Sequence, residues 1–115
     1  MITTEATAAP PPARWTIHAP QDDDWTTISP GIRARAITTR QMLVEFDPGA
    51  AWVGEDTHTA GPEELTILNG SLHLAITGAS NDHHVSEGHR VRAETGTGHA
   101  PVAGPDGCRL LATYP

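Results

Sequence analysis

The chain of 115 residues carries fourteen Asp and Glu against seven Arg, has no Lys, and bears a formal net charge of -7. That length holds one core rather than two, and so acidic a surface repels phosphate backbones and anionic lipid, which argues against nucleic-acid and membrane partners. Cys108 is the only cysteine and the sequence reads with neither a signal peptide nor an apolar run of membrane-spanning length, so the expectation is a cytoplasmic protein without an intramolecular disulfide.

Residues 1–13 are mostly Thr, Ala and Pro with almost nothing to bury, and read as a flexible tail ahead of a single domain at 14–115. From there Gly and Pro recur at short intervals: "SPG" at 29–31, "DPG" at 47–49, "AGP" at 60–62, "NG" at 69–70, "TGASND" at 77–82, "EG" at 87–88, "TGTG" at 95–98 and "AGPDG" at 103–107. No stretch between them keeps a helical apolar stripe, so several short strands in a sandwich or barrel are predicted.

Alternation marks the strands. In "GIRARAIT", Ile32, Ala34 and Ala36 face one way and Arg33 and Arg35 the other; in "QMLVEFD", Met42, Val44 and Phe46 share a face opposite Leu43 and Glu45. "ELTILNGSLHLAIT" reads as two strands around the hairpin dipeptide Asn69-Gly70, with Leu65 and Ile67 inside before the turn and Leu72, Leu74 and Ile76 inside after it. His73 then points outward, and His83 and His84 fall in "SNDHHVSEG", a predicted hairpin connection. "HRVRAE" and "CRLLATY" supply later strands. His89 alternates with Val91 and Ala93 and is given no role, while Cys108 shares a face with Leu110 and Ala112 and reads as a buried structural thiol rather than a nucleophile.

One segment concentrates polar chemistry: "EDTHTAGPEELTILNG", residues 55–70. Asp56 and His58 are two apart in an extended stretch and leave the same face. Glu63 opens the next strand on the face of Leu65 and Ile67, where a carboxylate is costly to bury without a partner; Glu64 alternates toward solvent. A divalent metal would pair with these groups, since His and carboxylate ligands at roughly 2.0–2.2 Å are what Zn, Fe, Mn or Ni sites use. On spacing alone, a metal site and a solvated loop are both open. Trp52 has the parity of Asp56 and His58, which makes it a candidate for the wall of a substrate pocket as well as for a core or rim position.

Residues 88–101, "GHRVRAETGTGHAP", place a strand, a Gly-rich turn and His99 in succession. Here the chain resembles the cupin superfamily, whose motifs run G-x5-H-x-H-x3,4-E-x6-G and G-x5-P-x-G-x2-H-x3-N. Gly88, Gly96 and His99 match the second, with Glu94 where Pro is usual and Ala103 where Asn is usual. Gly49, His58, Glu63 and Gly70 match the first, with one extra residue between Gly49 and His58 and with Asp56 in place of the first His. "DPGA", the "EE" ahead of "NG", "GHAP" and the terminal "DGCRLLATYP" narrow the resemblance to small ChrR-like cupins, over residues 15–115.

The resemblance implies an all-β, single-domain jelly-roll barrel with a metal inside its mouth. His58, Glu63 and His99 sit at ligand positions, and Asp56 takes the place of the missing His; Glu55 is its rival if a bulge turns Asp56 outward. His58, Glu63 and His99 alone make the two-His, one-carboxylate set of non-haem Fe(II), and Asp56 added to them makes a harder set that suits Zn, Mn or Ni as well. The expected function is a metal-dependent enzyme that holds one divalent transition metal (Fe(II), Zn, Mn or Ni) and acts on a small organic molecule in the barrel. A dioxygenase is the most concrete form, because ChrR-like cupins resemble acetylacetone-cleaving dioxygenases. The alternatives are an isomerase or cyclase of the polyketide-modifying type, and a non-catalytic ligand-binding or sensor cupin. A homodimer paired through an edge strand is the expected assembly.

Overall fold

The computed structural model describes residues 19, 24–76, 78 and 82–115; the expected tail at 1–13 lies outside them. The described residues form eight strands: β1 Thr26–Ser29, β2 Ile32–Thr38, β3 Gln41–Phe46, β4 Asp56–Thr57, β5 Glu63–Ile76, β6 His83–Ser86, β7 Arg90–Ala93 and β8 Gly98–Thr113. They contain no α-helix, and so no helix long and apolar enough to cross a membrane. The domain is all-β.

β5 and β8 are the frame. They run antiparallel along nearly their whole length, from Glu64↔Thr113 to Ile76↔His99. The second half of β8 carries β3, β2 and β1 in turn on its other side, and the first half of β5 carries β7. The first half of β8 carries β4, and the second half of β5 carries β6. Two antiparallel sheets therefore share two bent strands, which is how a jelly-roll barrel closes. Leu65, Ile67, Val44, Phe46, Leu110 and Ala112 from one sheet meet Leu72, Leu74 and Ala103 from the other in a single buried core. The alternation read from the sequence places Ile32, Ala34, Val44 and Phe46 inside, as expected, whereas Ala36 is exposed near the end of β2.

The bend corrects the predicted hairpin. Asn69 and Gly70 lie inside the continuous strand β5, where the register with β8 shifts twice. Gly70 pairs with Cys108 and Leu72 with Ala103, so residues 104–107 bulge opposite Ser71; the predicted "AGPDG" turn is this bulge. The inward positions switch from Glu63, Leu65 and Ile67 to Leu72 and Leu74 across it. Gly70 holds φ +76, and a Cβ there would lie 2.1 Å from the Gly107 carbonyl oxygen, so both the backbone conformation and the close approach of β8 require glycine. A turn dipeptide has become a corner.

His83 and His84 likewise stand in strand β6 rather than in a connection. They are exposed; His84 stacks on its cross-strand partner His73, with ring centroids 4.3 Å apart. His89 is exposed too, its Nδ1 accepting the Ser86 backbone N–H at 3.0 Å. On the outer face of the sheet, Glu45 takes Arg33 at 2.8 Å from one neighbouring strand and Arg109 from the other.

Candidate metal centre

The site is built where β4, β5 and β8 converge. β4 is two residues long and exists through its pairing with the start of β8, which sets Asp56 directly opposite His99. Glu63 is the first residue of β5, on the inward face it shares with Leu65 and Ile67. Both Glu63 and His99 are buried, at 4% and 6% exposure, in a core that is otherwise apolar. His99 Nε2 lies 2.9 Å from Glu63 Oε1 and 3.7 Å from Asp56 Oδ2. Asp56 is more open, its side chain 35% exposed toward the mouth.

These contacts set the charges. Burial works to raise the Glu63 carboxyl, yet hydrogen bonds from His99 and Tyr114, with the charges of His99 and His58, hold it below its ordinary range. Burial works to lower His99, but the bond to Glu63 and the negative charges of Glu63, Asp56 and Glu55 keep it above 6.5. Asp56 is raised, first by burial and then by the Glu63 charge. Glu63 and His99, which a core would otherwise reject, are thus stabilised by each other, while Asp56 gives up part of its charge beside Glu63.

One donor atom from each of Asp56, Glu63 and His99 fits within a sphere of mutual distances no larger than 4.8 Å. Donors bound to one ion at about 2.0–2.2 Å stand at most about 4.4 Å apart, so these three can close on a divalent metal with small side-chain adjustments. Two carboxylate oxygens and one imidazole nitrogen are also a chemically suitable set for a divalent transition ion. The residues fit a metal.

No protein-family model matches the chain, and no curated protein sequence matches it. Solved structures do. KdgF from Halomonas sp. is 26% identical with a TM-score of 0.61, over 80% of this chain and 86% of that one. An RmlC-like cupin from Shewanella frigidimarina superposes with a TM-score of 0.65 at 17% identity, covering 86% of this chain and 90% of its own. A deletion mutant of Bacillus subtilis oxalate decarboxylase OxdC gives a TM-score of 0.68 at 22% identity, over 78% of this chain and 26% of that longer one. The fold is that of the cupin superfamily.

Within this cupin fold, Asp56, Glu63 and His99 line a pocket of about 220 Å³ whose other walls include Trp52, Phe46, Leu110 and Tyr114. Trp52 lines this pocket, tied by its backbone N–H to the Pro101 carbonyl at 3.0 Å. Asp56, not its rival Glu55, turns into the pocket; the Glu55 carboxyl instead lies over Gly98, 2.2 Å from where a Cβ would stand. Glu64 is half-buried on the outer side and pairs with Arg92 at 2.9 Å.

His58 is not brought into the three-donor group. Its Nδ1 donates to the Gly61 carbonyl at 3.2 Å, and its ring stacks on Tyr114 at 4.5 Å between centroids and 21° between planes. Tyr114 was missed from the sequence. The signal was available: continuing the face of Cys108, Leu110 and Ala112 by one step lands on Tyr114.

Proposed function

We propose that this cupin is a metal-dependent enzyme that holds one divalent transition metal on Asp56, Glu63 and His99 and acts on a small organic molecule in the adjoining pocket. The convergence of three donors from three strands at the wall of an apolar pocket carries the reading. Bound there, the metal would supply Lewis acidity toward a substrate oxygen. The chain supplies the rest. Three protein ligands leave coordination positions for substrate. Trp52, Phe46 and Leu110 offer apolar surface to the body of a small molecule, and Asp56, at the open side, is the carboxylate best placed to meet its polar end.

The donor set bears on the reaction. One imidazole with two carboxylates departs from the two-His, one-carboxylate set of non-haem iron oxygenases, which weighs against their dioxygen chemistry and leaves isomerisation, cyclisation or elimination at a substrate oxygen function as the first reading. Dioxygenase chemistry is the second reading. The ChrR-like resemblance supports it, as does the place of His58 two residues from Asp56 on the same short segment. We also retain a small molecule as the partner and a homodimer through an edge strand; β1 and β6 end the main strand order. Light scattering on the purified protein tests the dimer.

Elemental analysis after anaerobic supply of Fe(II), Zn, Mn and Ni tests the function. Near one metal per chain, lost in His99→Ala, is the expected result. With the loaded protein and a β-diketone such as acetylacetone, metal-dependent exchange of the α-proton in D2O without dioxygen uptake supports proton-transfer chemistry. Stoichiometric dioxygen uptake moves the assignment to a dioxygenase. Metal without turnover of any such compound leaves a ligand-binding cupin, and no metal overturns the reading.

A further inference from the structure

We infer that the pocket beside the metal centre selects an uncharged molecule, with an aromatic or branched aliphatic body and an oxygen atom for the metal, and turns away carboxylates and phosphate esters. This names the substrate class for the metal reading above and rests on it. Apart from Asp56, Glu63, His99 and Tyr114, every described residue that lines the pocket is apolar. Trp52 and Phe46 supply flat aromatic surface, and Ile28, Met42, Leu72 and Leu110 supply aliphatic surface. The body of a small molecule is thus seated by burial, not by paired charges.

An anion would need a cation to receive it. The chain has no Lys, and none of its described arginines lines this pocket. Arg33 and Arg109 pair with Glu45 on the outer face of the sheet, and Arg33 also meets Asp47 at 3.1 Å. Arg92 meets Glu64 and Glu94, each at 2.9 Å, and Arg90 lies 3.6 Å from Glu64. Arg35 lies over the Trp25 ring at 5.6 Å, and Arg40 is exposed in the turn between β2 and β3. Arg14 is outside the described residues.

The metal does not supply the missing charge. Asp56 and Glu63 as carboxylates cancel the charge of a divalent ion. Imidazole ligands are neutral, so the sum stays at zero with His99 alone or with a further His beside it. A carboxylate entering such a site would give up its water in an apolar cavity beside two fixed negative groups, and nothing in the lining offsets that loss. A carbonyl or amide oxygen can approach without it.

The test compares benzamide with benzoate, which share a ring and differ chiefly in charge, by calorimetry on the full chain loaded with Zn. Benzamide is expected to bind at least about tenfold more tightly. Ile28→Arg places a cation at the rim; Ile28 lines the pocket and is 38% exposed, so the change should leave folding intact. That variant is expected to gain about tenfold in benzoate affinity while its affinity for benzamide stays near the parent's. Benzoate that binds the parent as tightly as benzamide overturns the inference, whether or not Arg14→Ala abolishes that binding. So does a parent that binds neither. No gain in Ile28→Arg overturns it too, since charge is then not what excludes benzoate. A parent that takes up no Zn sinks the metal reading itself, and this inference with it, a result distinct from the others.

Discussion

His99 and Glu63 stand 36 residues apart in the chain and 2.9 Å apart in the barrel, Nε2 against Oε1, both buried. A proton holds them together, and the nitrogen that carries it is one that a metal would use. Because Glu63, Asp56 and Glu55 raise His99 against the effect of burial, it keeps its proton to higher pH than an ordinary histidine, and metal uptake below its folded-state pKa expels that proton. Apparent affinity should fall with falling pH, by about tenfold per unit for one proton released. Metal titrations in buffers on either side of neutrality check this, and a flat profile would show that His99 is not a ligand.

The same pair shapes the stability of the metal-free barrel. Raised above 6.5, His99 contributes stability that is complete below that value and is lost as pH rises through its folded-state pKa. Lowered below 4.5, Glu63 contributes stability that is complete above that value and is lost as pH falls through its folded-state pKa. Asp56, raised above 3.8, opposes Glu63, since its contribution is lost as pH rises. For the pair, the best window lies between about pH 4.5 and about pH 6.5. Urea unfolding in chelator across that range should show it, and Glu63→Gln should flatten the alkaline limb, because burial is then opposed only by the weaker effects of Asp56 and Glu55 on His99. An unchanged alkaline limb in that variant would mean that Glu63 does not hold the proton on His99.

Much of this was legible in the chain. Strands with one wet face and one packed face announce themselves by alternation, and Ile32, Val44, Phe46, Leu65, Ile67, Leu72, Leu74 and Leu110 all lie in the core. Motif spacing brought Asp56, Glu63 and His99 to one place because each sits at or near the start of its strand, where register leaves little freedom. What was not legible depends on partners far along the chain. A Gly after Asn serves a hairpin or a bulge equally well, and only the closeness of β8 decides at Gly70. His58 follows its motif in sequence, yet the group of donor atoms comprises Asp56, Glu63 and His99; its Nδ1 meets the Gly61 carbonyl and its ring stacks on Tyr114, contacts that no spacing announces.

Gly70 offers a test of the corner that needs no metal. Gly88 has a similar left-handed backbone, φ +89, with nothing within 4 Å of a Cβ, whereas a Cβ at Gly70 would strike the Gly107 backbone. Gly88→Ala should therefore cost about 1 kcal/mol, the ordinary penalty of that conformation. Gly70→Ala adds a backbone clash that no side-chain rotation relieves and should cost clearly more. Equal losses in urea unfolding would mean that β5 and β8 do not approach so closely at the bend.

Cys108 tests the neighbouring seam and the dismissal of a nucleophile together. It is 5% exposed, lies between Phe46 of β3 and Gly70 of β5 in register, and burial pushes its thiol up to about 11. Nucleophilic cysteines need the opposite, an exposed thiol with a lowered pKa. Alkylation near pH 8 should therefore be slow in the folded protein and complete in urea, with a native rate that follows local opening of the barrel rather than reagent concentration once the reagent is in excess. Rapid labelling of the folded chain would mean that the β3–β8 seam opens readily or that the thiol is activated, and either result would remove Cys108 from the structural core.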